Sequence, residues 1–179
     1  MHHSSPMDSD HVQIQVEVLP ASGGFPNNPR LPLLIYHRVF LRDEEDLAST
    51  WEQLFRRNNW RGTWRNGVFS YHHFHSNAHE VLGIAQGSAE IQFGGPEGLV
   101  VTIQAGDLAI LPSGTGHKKV TASDDFLVVG AYPAGQEDYD ILRGDPAELH
   151  EAEQRIAAVP IPTSDPVYRS QGPLFRHWN

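Results

Sequence analysis

The chain has 179 residues, no cysteine, and 13 Lys and Arg against 22 Asp and Glu, for a formal net charge of -9. This length suits one domain with a sizeable core, and the lack of cysteine excludes a disulfide framework and thiolate chemistry. The excess of acids opposes binding to phosphates and anionic lipids, and no apolar run approaches the roughly 20 residues of a membrane span. We therefore expect a cytoplasmic protein with no nucleic-acid or membrane partner.

The N-terminal part predicts two strands and one helix. Residues 12–18 alternate strictly between apolar and polar side chains, which is typical of a half-buried strand, and residues 33–39 form a second strand-like run. Residues 20–32 are rich in proline, glycine and asparagine and predict a loop. The acidic run at residues 43–46 predicts the start of a helix that ends near Asn58, because acids favour the positive end of the helix dipole.

Short strands and tight turns predominate over residues 67–132. Residues 89–93 and 99–103 flank a glycine-rich turn and predict a hairpin, and residues 108–111 follow as another short strand. Residues 126–131 are continuously apolar, which predicts a strand buried on both faces. Many short strands with even turn spacing indicate an all-β sandwich or barrel.

The C-terminal part predicts a short helix and an extended tail. Asp145, followed by Pro146 and by Glu148, is typical of a helix N-terminus, and the helix should end near Ala158. Prolines then recur too often for a central strand, and the chain ends in an aromatic segment at residues 175–178. We expect this tail to dock on the barrel or on a partner subunit.

A single domain is predicted over residues 12–179. It comprises a core at residues 66–132, which holds the candidate metal ligands, and the helix and tail at residues 133–179. Residues 1–11 contain no apolar signal core, so we expect a flexible leader or a remnant of cloning.

The strongest functional signal is a set of histidines with one glutamate. Side chains two apart on a strand point the same way, so His73 and His75 should share a face. Glu80 follows a short turn and can return a carboxylate from the next strand, and His117 can add a third imidazole from a different strand. Three nitrogens and one oxygen suit one divalent transition metal, and Fe, Mn, Ni, Co and Zn all accept this set.

The spacing of these residues resembles the two motifs of the cupin superfamily. The pattern G-x5-H-x-H-x4-E-x6-G is met at Gly67, His73, His75, Glu80 and Gly87. The pattern G-x5-P-x-G-x2-H is met at Gly106, Pro112, Gly114 and His117. Thr121 stands where many cupins carry an asparagine, but that position is not a ligand.

The wider text of residues 66–132 is similar to that of small single-domain bacterial cupins called YjlB-like. This resemblance implies a mainly β fold, a double-stranded β-helix or jelly-roll barrel, to which the helix patterns add two peripheral helices. It also implies a bound metal but no particular reaction, because cupins include oxygenases, isomerases, decarboxylases and plain binders.

Lys119 is a candidate for binding a substrate anion. If the strand that begins at His117 continues, Lys119 shares its inward face and can pair with an acid of the barrel or with a substrate carboxylate, whereas Lys118 points outward. If the strand ends at His117, both lysines are solvated.

His79 and Tyr71 complete the catalytic candidates. His79 adjoins Glu80 and either orients a ligand or substrate or is a solvated turn histidine. The apolar strands should supply a dry pocket around the metal. Its expected wall comprises Phe69, Tyr71, Leu82, Phe93 or their inward-facing neighbours.

Three functions remain open for such a site, each with a small-molecule substrate or ligand. The first is a metal-dependent oxygenase of the dioxygenase type, favoured because an open metal site suits dioxygen chemistry. The second is a redox-neutral isomerase, lyase or decarboxylase, and the third is a non-catalytic binder with its pocket closed by the tail. We also expect a homodimer, since exposed edge strands invite pairing and residues 12–18 are a ready partner for them.

Overall fold

A computed structural model describes residues 4–179, in which nine strands and a few short helices are formed. The strands are β1 (Gln13–Glu17), β2 (Leu33–His37), β3 (Trp60–Asn66), β4 (Glu80–Gln86), β5 (Ser88–Phe93), β6 (Leu99–Gln104), β7 (Leu108–Leu111), β8 (His117–Ala122) and β9 (Leu127–Pro133). The helices are α1 (Leu47–Arg57), α2 (Leu149–Ala158), which continues a 3₁₀ turn (Pro146–Glu148), and α3 (Leu174–His177). The predicted mainly β class is confirmed, and α3 is a third, very short helix that was not predicted.

Two antiparallel sheets form the barrel. The larger has the strand order β1-β2-β7-β4-β9-β3, and the smaller has the order β6-β5-β8. Every strand pair in both sheets is antiparallel, and strands distant in sequence lie side by side, as in a jelly roll. The prediction of a strand buried on both faces is confirmed in β9, which has buried residues from Val128 to Pro133.

The central strands of the large sheet, β2, β7, β4 and β9, are buried on both faces because they lie in the middle of three layers. On its inner face, side chains such as Leu82 and Ile84 of β4 pack against Ile91 and Phe93 of the small sheet. On its outer face, Val81 and its neighbours pack under α1 and the C-terminal segment. Alternate residues of one strand therefore enter two separate cores.

Helix α1 covers the outer face. Trp51 lies fully buried against β4, where its indole Nε1 donates to the carbonyl of Ile84 at 3.0 Å. A Cβ at Gly83 would lie 2.7 Å from the Trp51 ring, so only glycine permits this approach. The acidic run at residues 43–46 was predicted within the helix, but α1 begins at Leu47 and Asp46 caps it by accepting from the amide of Ser49. A capping carboxylate satisfies a free amide and needs no place inside the helix.

The C-terminal segment docks on its own barrel, on the same outer face. Trp178 is almost fully buried, and its indole Nε1 donates to the Pro32 carbonyl at 2.9 Å. The buried Asp165 accepts from the Tyr36 hydroxyl at 2.6 Å and fixes the turn before α3 through the amides of Val167 and Leu174. We expected the tail to dock either on the barrel or on a partner subunit, and in the structure it packs on the barrel of its own chain.

The N-terminal segment also lies along the barrel, although Met1, His2 and His3 of the predicted leader are outside the described residues. The amide of Met7 donates to the Val39 carbonyl at 2.7 Å, and the Tyr168 hydroxyl donates to the Met7 carbonyl at 2.6 Å. Strand β1 pairs with β2 of its own chain. Within residues 4–179 no helix has both the length and the apolarity needed to cross a membrane.

Candidate metal centre

Three histidines converge at one end of the barrel. His117 is the first residue of β8, whereas His73 and His75 lie in the segment between β3 and β4. That segment is irregular and not the strand we predicted. It is aligned by an isolated bridge in which His73 and His117 exchange backbone hydrogen bonds, and by the amide of Gly114 donating to the His75 carbonyl at 2.7 Å. This bridge places side chains from two distant motifs beside each other.

The three imidazoles are close enough to hold one ion. Each of the three offers a ligand atom that lies within 4.8 Å of the others, and all three side chains are buried. Glu80, the first residue of β4, adds a carboxylate: its Oε2 lies 3.4 Å from His75 Nε2, and its Oε1 lies 3.3 Å from His117 Nε2. The three histidines therefore form one close set, and Glu80 lies beside two of them, His75 and His117.

The protein orients each histidine through its other nitrogen. In all three rings Nδ1 faces a backbone carbonyl: that of Tyr71 for His73 (3.1 Å), of Asp140 for His75 (2.5 Å) and of Thr115 for His117 (3.0 Å). A carbonyl only accepts, so Nδ1 carries the proton and the lone pair is left on Nε2. This tautomer directs three Nε2 lone pairs toward one another, which is the arrangement that a metal requires.

The Glu80 carboxylate is charged and incompletely satisfied. Its Oε2 accepts from the Tyr132 hydroxyl at 2.8 Å, and that hydroxyl in turn accepts from Trp64 Nε1 at 2.9 Å. Oε1 is buried and accepts no hydrogen bond. Burial raises the pKa of Glu80, but the neighbouring His75 and His117 lower it by more. The net result is a pKa well below the ordinary value of a glutamate.

The histidines differ in how their surroundings affect protonation. Burial, reinforced by the adjacent His117, lowers the pKa of His73 to about 3. Burial also lowers the pKa of His75, but the charge of Glu80 outweighs it and the net shift is upward. The upward shift of the His75 pKa shows that the buried Glu80 carboxylate favours positive charge beside it. A divalent metal would supply that charge, so the cluster fits such an ion.

A cavity of about 350 Å³ leads from solvent to this cluster. Its walls are largely apolar and aromatic, and include Trp64, Phe69, Leu82, Tyr139 and Ile141. Tyr139 stacks on Tyr132 with ring centroids 4.3 Å apart. A small organic molecule can therefore reach the cluster through a space of limited size.

Comparisons with known proteins place the chain in a family. No protein-family model matches it. The uncharacterized protein YjlB of Bacillus subtilis strain 168 is 39% identical over 166 residues, which make up 93% of this chain and 97% of that protein. This chain belongs to the YjlB family of cupins.

Solved structures of similar fold are only distantly related to this YjlB-family chain. An acireductone dioxygenase from Bacillus anthracis, with a cadmium ion in its active centre, is 18% identical and covers 54% of this chain and 68% of its own, with a TM-score of 0.37. A double-stranded β-helix protein from Klebsiella pneumoniae is 12% identical, covers 77% and 83% of the two chains, and has a TM-score of 0.37. TM-scores this low carry no argument about activity.

Lys119 lines the cavity of this cupin. Strand β8 continues past His117 to Ala122, so the condition that we attached to Lys119 is met. Its register with β5 also fixes the face: Lys119 pairs with Ile91, which is fully buried in the inner core, whereas Lys118 pairs with Gln92. Cross-strand partners point to the same face, so Lys119 points inward and Lys118 outward.

Tyr71 does not line the cavity, although its backbone supports the site. Its ring stacks on Phe69 with centroids 4.8 Å apart, and the guanidinium of Arg143 lies 3.6 Å from its centre. Its carbonyl accepts from His73. Of the other residues expected in the wall, Phe69 and Leu82 line the cavity, whereas Phe93 is fully buried in the inner core.

His79 lies on the other side of β4 from Glu80. It is fully buried, its Nδ1 accepts from the Ser113 amide at 2.8 Å, and its ring lies 4.8 Å from that of Trp178. Successive residues of a strand point to opposite faces, so the structure separates these two neighbours and gives His79 no contact with the cavity. The solvated-turn alternative for His79 is therefore wrong because the residue is buried, and a role in orienting a ligand or substrate stays a prediction.

Two supporting residues could not be located by motif spacing. Tyr132 lies on β9, 52 residues from its partner Glu80, and Asp140 lies in a loop, 65 residues from His75. A tyrosine within an aliphatic strand does signal a hydroxyl that needs a buried partner, but not which partner. Asp140 also accepts from the Ser76 amide at 2.7 Å, which fixes the loop that presents its carbonyl to His75.

Proposed function

We propose that this chain is a metal-dependent oxygenase that acts on a small organic substrate, with His73, His75, Glu80 and His117 as the metal ligands. The observation that supports it is a close set of three buried, oriented histidines in the wall of an apolar cavity, two of which face the buried carboxylate of Glu80. The proposal therefore rests on geometry in addition to motif spacing.

Glu80 is proposed as the fourth ligand because its surroundings satisfy only one of its two carboxylate oxygens. An ionised carboxylate is costly to bury without a cationic partner, and Oε1 accepts no hydrogen bond. Both of its oxygens lie within 3.4 Å of a histidine Nε2 atom. A divalent ion would neutralise the carboxylate and use the lone pairs of all four residues at once.

A divalent transition metal held by this set supplies Lewis acidity and, when it is iron, redox chemistry with dioxygen. The protein's own contribution is positional. The backbone carbonyls hold the histidine tautomers, and burial together with the charge of Glu80 raises the pKa of Tyr132 far above its ordinary value. Tyr132 therefore stays protonated and keeps donating to Glu80, while the apolar walls exclude water from the substrate.

A redox-neutral lyase, isomerase or decarboxylase is the second candidate, because the same donors bind zinc or nickel as readily as iron. The non-catalytic alternative was tied to a pocket closed by the tail. Residues 160–179 dock on the outer face of the large sheet and none of them lines the cavity, whereas Tyr139 and Ile141, which precede α2, do. This arrangement leaves the cavity open and favours an enzyme over a binder.

Metal identity and oxygen consumption test the proposal together. The full chain should be purified without chelators or added metals, and its metal content measured by mass spectrometry. Iron, with consumption of oxygen in the presence of small organic acids or aromatic compounds, is the expected result. Zinc or nickel without oxygen consumption would contradict the oxygenase and support a redox-neutral lyase, isomerase or decarboxylase. A chain that binds no divalent metal would contradict both candidate functions.

We also propose that the chain is a homodimer. Strand β1 is an edge of the large sheet and carries the exposed Val16, and Val18 follows it with 70% of its surface exposed. An unpaired edge with apolar side chains invites pairing with a second copy. Light scattering should therefore give twice the 20.0 kDa chain mass, and a value near one chain mass at micromolar concentration would refute the dimer.

A further inference from the structure

Lys119 is an unpaired cation in the wall of the cavity. It is the one lysine or arginine among the described residues that line this space. Within residues 4–179 its ammonium group forms no ion pair and no side-chain hydrogen bond, while its backbone amide is fixed by the Phe69 carbonyl at 2.9 Å. The strand thus holds the side chain inward without giving the charge a partner.

No acid of the cavity wall is free to pair with this cation. Glu80 is the one carboxylate that lines the cavity, and it already faces His75 and His117 and accepts from Tyr132. Lys119 is a half-buried residue whose charge has no acidic partner in the cavity, so it complements an anionic ligand.

The dimensions of the cavity limit that ligand. His117 and Lys119 are two residues apart on one strand, a separation of roughly 6.5 Å, and Trp64, Phe69 and Ile141 form apolar walls around the space. A volume of about 350 Å³ admits a single ring or a short branched chain with its polar groups.

From these observations we infer that the substrate is a small carboxylic acid with an apolar body, whose carboxylate pairs with Lys119 while its other end lies toward the histidine cluster. The inference rests on the proposed function for the role of that other end. The carboxylate anchor itself depends only on Lys119 and on the apolar walls.

Binding of benzoylformate, a 2-oxo acid with one aromatic ring, tests the anchor. Isothermal titration calorimetry should be done on the full chain as purified and again after metal removal with EDTA. Benzoylformamide, which has the same body without the charge, is the matched ligand. We expect benzoylformate to bind more tightly than the amide in both preparations, and Lys119→Met to weaken benzoylformate binding by about tenfold or more, since a charge-assisted hydrogen bond is lost.

Two variants make the result decisive. Lys118→Met removes the neighbouring charge on the outward face and should leave the affinity unchanged, and Lys119→Arg should keep most of it while showing that the strand tolerates substitution. Equal effects of Lys118→Met and Lys119→Met, or no binding of benzoylformate by the wild type in either preparation, would overturn the inference.

If Lys119-dependent binding persists in a chain that binds no metal, the anchor stands and the proposed function fails. If the chain binds iron and consumes oxygen but benzoylformate binding does not depend on Lys119, the proposed function stands and the carboxylate anchor fails.

Discussion

The two faces of strand β4 show two different uses of buried histidine. On the inner face, His75 and His117 meet the anionic Glu80 beside an open cavity, with their Nε2 lone pairs converging. On the outer face, His79, which directly precedes β4, lies between Ser113 and Trp178 and does not line the cavity. Burial lowers the pKa of His79 to about 3, so it is a neutral packing residue.

The difference teaches that burial of a histidine does not by itself indicate a metal site. The inner histidines are distinguished by the direction of the free nitrogen, which backbone carbonyls set at Nδ1. His79 is oriented in the opposite sense, because its Nδ1 accepts from an amide. Metal binding and packing can therefore be perturbed separately from the two faces of one strand.

The largest expected effect is loss of metal on the inner face. His75→Ala and His117→Ala each remove one of the converging nitrogens and leave the Glu80 carboxylate less compensated, so the metal content per chain should fall to a small fraction of the wild-type value. Mass spectrometry of reconstituted and desalted protein provides the measurement.

His79→Asn is the matched control from the outer face. Its side-chain oxygen can still accept from the Ser113 amide, and it should keep the full metal content. Stoichiometric metal in the double variant His73→Ala/His75→Ala would contradict histidine ligation altogether.

The next effect concerns the stability of the outer face. Trp178→Ala removes a buried indole and its hydrogen bond to the Pro32 carbonyl and should lower the free energy of unfolding by about 3–5 kcal/mol. Urea denaturation measures this change. Arg176→Ala, on the exposed side of α3, should change it by less than about 0.5 kcal/mol. If molecules of Trp178→Ala that remain folded lose their metal, the two faces are not independent.

A smaller effect on metal affinity is expected from Tyr132, which donates a hydrogen bond to the proposed ligand Glu80. Tyr132→Phe removes the donor to Glu80 and should weaken metal affinity by about 10- to 100-fold, the usual cost of losing a hydrogen bond to a ligand. Competition with a chelator of known affinity measures it. Tyr71→Phe, whose hydroxyl lies outside the cavity wall, should have no effect. Equal affinities in the Tyr132→Phe variant and the wild type would show that Glu80 needs no such support.

The last prediction concerns the pH dependence of stability, which changes only below neutral pH. The pKa of His79 is about 3 in the folded chain and about 6.5 in an unfolded one. As the pH falls below about 6.5, the unfolded chain takes up a proton that the folded chain refuses, so stability decreases by up to about 1.4 kcal/mol per pH unit until the pH nears the folded value. Urea denaturation of metal-free protein from neutral pH downward should show a shallower loss in His79→Asn.

His150→Asn, at an exposed position of α2, should keep the steepness of the wild type. Identical slopes in His79→Asn and the wild type would mean that this histidine takes up its proton without unfolding, and that the outer face is less tightly closed than its packing indicates.

Spacing and periodicity determined much of this protein in advance. Period-two alternation located β5 and β6, the continuous apolar run located β9, and the cap residue Asp145 marked the turn that leads into α2. The sequence also indicated the candidate ligands, because Glu80 and His117 stand at fixed distances from glycines in the two motifs, and in the structure each begins a strand. These features depend on neighbours in the chain, which a sequence displays directly.

Only the tertiary structure decided the position of His79, which the sequence left open between a residue that orients a ligand or substrate and a solvated turn residue. His79 and Glu80 are both buried, and a shift of one residue in the register of β4 would exchange them. The register is set by pairing with β7 and β9 and by Trp51 lying over Gly83. The roles of Tyr132 and Asp140 were likewise hidden, because each acts on a partner more than 50 residues away. Such contacts form only when the hydrophobic layers have packed, and no local pattern records them.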